Sequence, residues 1–93
     1  MLLLDQKNRF QMVELKYCRS NSVRLSPHQV SFASSHANAL VWLLIKKDPI
    51  SAPAEYYLYR GDAVMDVAMD GLKHHPHAKT DSIEDIIQLL AAT

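Results

Sequence analysis

The sequence holds one cysteine, two glycines and four prolines among 93 residues, and each shortage removes a class of protein. A lone Cys18 can neither close an internal disulfide nor build a zinc site from several thiolates, so a reducing, cytoplasmic setting is the expectation. So little glycine and proline, beside 48% hydrophobic and 22% charged residues, excludes collagen-like and disordered chains. One globular domain over 1–93 remains, long enough for a single modest core. Long apolar runs are also missing. Met1-Leu2-Leu3-Leu4 is cut off by Asp5, and Leu40-Val41-Trp42-Leu43-Leu44-Ile45 stops at Lys46, both far below the ~20 residues of a membrane span. Neither export nor a membrane partner is expected.

Neither sign of charge prevails, with ten basic and ten acidic residues, but they are unevenly spread. Up to Lys47 there are seven basic residues against two acidic; from Asp48 onward there are three against eight. A basic half joined to an acidic half suits one nucleic-acid-facing surface as well as an ordinary solvated charge pattern.

Periodicity gives the element order. Met1 to Leu4 and Phe10 to Tyr17 read as the arms of an antiparallel hairpin, the second with Val13, Leu15 and Tyr17 alternating against Met12, Glu14 and Lys16. Cys18 to Leu25 reads as a basic loop. Ser26-Pro27-His28-Gln29 then carries the marks of a helix start: a hydroxyl N-cap, proline at the first helical position and a capping-box glutamine. That helix is predicted to run to about residue 38, with Val30, Ala33 and Ala37 on one face and Gln29, Phe32 and His36 beside them. The run Leu40 to Ile45, apolar at every position, predicts a central strand covered on both sides. Glu55 to Arg60 reads as an edge strand, and Asp62 as the cap of a helix from 63 to about 72 with Val64, Val67, Ala68 and Leu72 inward. The His74-His75-Pro76-His77 loop follows. A second capping box, Asp81 to Glu84, opens a helix striped by Ile83, Ile86, Ile87 and Leu90. The order β-β-α-β-β-α-α predicts an α/β domain, a mixed sheet flanked by helices.

The chemically suggestive feature is Glu14-Leu15-Lys16. On a strand, Glu14 and Lys16 project from one face and Leu15 from the other. A carboxylate beside an ammonium can hold a hard cation and orient a water against a phosphodiester, although such pairs also occur on plain solvated sheets. The stretch "FQMVELK", with an apolar arm before it, "LSPHQ" opening a helix and "ALVWLLIKK" as a buried strand, resembles the PD-(D/E)XK nuclease superfamily. Its phage-type, Holliday-junction-resolvase-like and VRR-NUC-related members are the nearest in pattern. The resemblance covers roughly the first half of the chain.

What it implies is a restriction-endonuclease-like core and a Mg²⁺- or Mn²⁺-dependent endonuclease acting on DNA, branched DNA included, in a bacterial or phage-infected cell. Glu14 would ligate the metal together with the Leu15 carbonyl, Lys16 would position the attacking water, and Gln29 would support that geometry. The pattern also needs an acid on the preceding strand, facing Glu14. If Asp5 faces Phe10, paired residue numbers sum to about fifteen and Glu14 lies opposite Met1; Asp5 is then roughly 13 Å away along the strand at ~3.4 Å per residue. The resemblance therefore implies a core beginning partway through. It would be completed by an N-terminal fragment in trans or by a homo-oligomer, or else it is a noncatalytic relative that binds nucleic acid or inhibits a partner.

Lys7, Arg9, Arg19 and Arg24 are candidates for gripping a phosphate backbone, with His28 beside them. Bland readings serve elsewhere. His74, His75 and His77 read as a solvated linker more than a metal site, Tyr56, Tyr57 and Tyr59 as packing residues more than base-stacking ones, and Trp42, Met65 and Met69 as core, the two methionines unless their helix pairs with another copy.

Overall fold

The computed structural model describes residues 2–4, 10–27, 30 and 41–92. Its frame is a five-stranded mixed sheet whose spatial order follows the chain. The strands are β1 (Leu2–Leu4), β2 (Phe10–Cys18), β3 (Val41–Lys47), β4 (Glu55–Arg60) and β5 (Ala78–Thr80). Among the described strands only β2 and β3 run parallel; the other three pairings are antiparallel. A parallel pair needs a long crossover, and residues 19–40 supply it. Within it Pro27 and Val30 are helical, and the Val30 N–H donates to the Ser26 carbonyl at 3.1 Å, a first helical turn at the predicted start. The rest of that predicted helix, with His28, Gln29, Phe32, Ala33, His36 and Ala37, lies outside the described residues.

Two helices are described in full, α1 (Val64–Asp70) and α2 (Ile83–Ala92). They serve separate cores, because alternate residues of β3 face opposite ways. Val41, Leu43 and Ile45 pack with Tyr57, Tyr59, Val23 and, from around α1, Val64, Val67 and Leu72. Trp42 and Leu44 pack with Val13, Leu58, Ile86 and Leu90. A strand apolar at every position is what two covered faces require.

Several sequence expectations need correction. β4 is interior rather than an edge, since β5 pairs along its far side. Asp62 does not cap a helix: it sits inside a single 3₁₀ turn (Gly61–Ala63), and Ala63 precedes α1 with no side-chain cap bond. At the start of α2 the Thr80 hydroxyl accepts from the Ser82 N–H and donates to Asp85, a bonding pattern displaced from the predicted Asp81–Glu84 box. Met65, Met69 and Ile87 are exposed, not core.

Two contacts lock the frame. Gln11 is wholly buried; its Nε2 donates to the Leu90 carbonyl and its Oε1 accepts the Trp42 indole N–H, both at 2.7 Å. It thereby satisfies a C-terminal carbonyl of α2, which the helix itself cannot. Gly71, just past α1, holds φ +64°, and a Cβ there would lie 2.0 Å from the Asn21 carbonyl oxygen. That same oxygen accepts the Leu72 N–H at 2.8 Å, so the loop after β2 is pinned to the exit of α1.

Candidate functional site on the sheet

Alternation fixes where the Glu14–Lys16 pair points. Met12 and Cys18 pack against the core on the α1 side, and Val13 packs in the core under α2. Glu14 and Lys16 share the phase of Met12 and Cys18, so both project on the α1 side, about 7 Å apart at two strand steps. Glu14 lies beside Leu43 and Lys16 beside Ile45 on the parallel neighbour. Glu14 is exposed and Lys16 half-buried. Leu15 projects to the other side, where it and Tyr17 are both exposed.

The hairpin register differs from the sequence estimate. The pairs Leu2↔Met12, Leu3↔Gln11 and Leu4↔Phe10 sum to fourteen, one less than the assumed turn gives. The position opposite Glu14 therefore lies two places upstream of Leu2, off the described hairpin. Asp5, Lys7, Arg9, His28 and Gln29 fall outside the described residues, so neither an opposing acid nor the glutamine can be placed beside the pair. Among the described residues no three His, Cys, Asp or Glu side chains cluster as metal ligands. A magnesium site needs one or two carboxylates together with substrate phosphates. One exposed glutamate does not make such a site by itself, for Mg²⁺ or Mn²⁺, with or without the Leu15 carbonyl.

Compared with protein-family models, curated proteins and solved structures, the chain matches none. No helix among the described residues is long and apolar enough to cross a membrane.

Of the predicted backbone-gripping residues, Arg19 and Arg24 are exposed in the segment following β2. A second group of cations went unnoticed in the sequence. The cross-sheet register sets Cys18 beside Lys47 and Lys47 beside Glu55, while two residues down, the next row on the same face runs Lys16, Ile45, Tyr57, Lys79. Lys47 Nζ donates to Asn21 Oδ1 at 2.8 Å. Lys79 Nζ lies 3.1 Å from Glu55 and 5.2 Å from the Tyr57 ring centroid. The hydrogen bond that Lys79 donates to Glu55, and then the one it donates to Tyr57, raise the Lys79 pKa, holding it charged.

The histidine loop is not a plain linker. The His77 N–H donates to the Leu58 carbonyl at 2.8 Å, and its ring meets Trp42 edge-on at 5.0 Å. The carbonyl of His74 accepts the Tyr59 hydroxyl at 2.9 Å. Burial pushes the Tyr59 phenol up to about 12, with Tyr57 and Cys18 adding to the shift. Burial likewise raises the Cys18 thiol, more than nearby Lys47 lowers it, so Cys18 is not an activated nucleophile. The sequence signals for this region were the Lys46-Lys47 doublet closing a buried strand and the histidine-rich loop, but neither shows on its own that they meet.

Proposed function

We propose that this chain contributes the Glu-x-Lys strand of a metal-dependent DNA nuclease. The observation that carries the reading is the placement of Glu14 and Lys16 on one face of an interior strand, between an antiparallel hairpin and a parallel partner, with helical residues at Pro27 and Val30 in the connection to it. That succession is the one the resemblance implies. The remaining carboxylate would come from outside the described residues, from a second copy or from a complementary chain. Lys16 would set a positive charge beside the scissile phosphate, where charge accumulates as the phosphodiester is attacked. The lack of a three-donor cluster among the described residues favours one alternative, a noncatalytic nucleic-acid-binding protein.

The full chain should cut plasmid or branched DNA in Mg²⁺ or Mn²⁺, and both Lys16→Ala and Glu14→Gln should abolish cutting. Retardation of DNA without cutting, unchanged by Lys16→Ala, would replace this reading with the binding one.

A further inference from the structure

Where β3 ends and β4 begins, the α1 side of the sheet opens into a cleft of about 620 Å³. Lys47, Lys73 and Lys79 reach it from three separate stretches of chain, Asn21 and His75 also line it, and Glu55 is its one carboxylate among the described residues. Three ammonium groups thus face a single acid. Only Lys79 is paired with it, at 3.1 Å. Lys47 is held by the neutral amide of Asn21, which orients its charge without cancelling it. Lys73 is exposed and pairs with no carboxylate among the described residues.

A concave, polar surface whose cations are positioned rather than neutralised is suited to phosphate groups. Its location gives the direction of the ligand. Lys16 and Lys47 sit on adjacent strands of one face, one level apart, and strand geometry puts their Cα atoms about 8 Å from each other. Positive charge therefore continues from the Glu14–Lys16 pair across Lys47 toward Lys73 and Lys79.

We propose that this cleft carries the phosphodiester backbone of a nucleic-acid strand away from the Glu14–Lys16 pair, with Lys47, Lys73 and Lys79 each engaging a phosphate. The choice of nucleic acid as the source of those phosphates rests on the nuclease reading; the anion preference of the cleft does not.

The test is fluorescence anisotropy of a labelled oligonucleotide with the full chain in a metal chelator, across a salt series. The triple variant Lys47→Ala/Lys73→Ala/Lys79→Ala should bind about tenfold more weakly or worse, and its log affinity against log salt should flatten by about 2 to 3. Glu55→Gln should tighten binding. Should the triple variant fail to fold by circular dichroism, Lys73→Ala alone should flatten the slope by about 0.7 to 0.9. Absence of binding by the unaltered chain, or an unchanged slope in the folded variants, overturns the proposal. So does competition by inorganic phosphate or a mononucleotide as effective, per phosphate, as unlabelled oligonucleotide, which would mark a small-anion pocket. Weakened binding in a chain that never cuts DNA leaves the cleft standing and removes the nuclease reading. Cutting that depends on Lys16, with affinity untouched by the triple variant, does the reverse.

Discussion

On the side of the sheet under α2, one polar side chain among the described residues, Gln11, is buried, and both ends of its amide are engaged, by Trp42 and by Leu90. On the α1 side, polar groups collect at one open end: Lys16, Lys47, Glu55 and Lys79 occupy neighbouring places on β2 to β5, with Glu14 one same-face step inward. Beneath α2 the first side is closed and its buried amide makes its polar contacts internally, although Leu15 and Tyr17 of β2 are exposed on that side. The second buries its middle beneath Val64 and Val67 and leaves its end charged. An enclosed polar contact and an open charged end thus lie on different surfaces of the same strands, an arrangement that period-two alternation makes available at no cost in chain length.

The largest expected effect breaks the dry side. Gln11→Leu keeps the volume but leaves the Trp42 N–H and the Leu90 carbonyl without their partner, which should cost about 2–4 kcal/mol of unfolding free energy, read as a lower urea midpoint at unchanged slope. A smaller effect sharpens the contrast from the buried middle of the α1 side. Tyr59→Phe removes the hydrogen bond to the His74 carbonyl and should cost about 1 kcal/mol at neutral pH. It should also change the alkaline behaviour. Because the folded phenol titrates near 12 rather than 10.0, the unfolded chain gives up its proton first, so stability is retained below about pH 10 and falls as pH rises to about 12. Tyr59's share of that fall should be about 2–3 kcal/mol and should be missing in Tyr59→Phe, which keeps only the falls due to the raised Cys18 and Lys79, as measured by urea unfolding across this range. The smallest effect on stability belongs to the open end. Lys16→Ala should shift the unfolding free energy by less than about 0.5 kcal/mol, so a loss of cutting in that variant would not be a loss of fold.

Where burial writes a period into the sequence, the fold was legible. β2 alternates, β3 is apolar throughout because both its faces are covered, and Ile86 and Leu90 mark the inner side of α2. Elements defined by pairing rather than by period were not. β5 is three residues long and carries no pattern, and without it β4 looks like an edge. The hairpin register depended on a turn whose geometry residue types do not specify, and a slip of one place is enough to move an opposing side chain to the other face. Ile87 fits the apolar stripe of α2 yet is exposed, because the stripe is wider than the surface it covers. For the candidate site, the shared face of Glu14 and Lys16 follows from spacing alone. The lysine cleft does not, since its walls come from segments dozens of residues apart that meet only after the sheet has formed.

Asn21 has a bearing on that cleft beyond holding Lys47. Its side chain takes the end of β3 and its main-chain oxygen takes the residue after Gly71, so one asparagine fastens three distant stretches of chain at the cleft wall. A loop stapled in this way has already surrendered its freedom when the protein folds. An incoming polyanion would meet a wall set in advance and lose little entropy in arranging it, so replacing Gly71 with a bulkier residue should weaken capture by pushing Asn21 out of that wall, with no cation of the cleft altered.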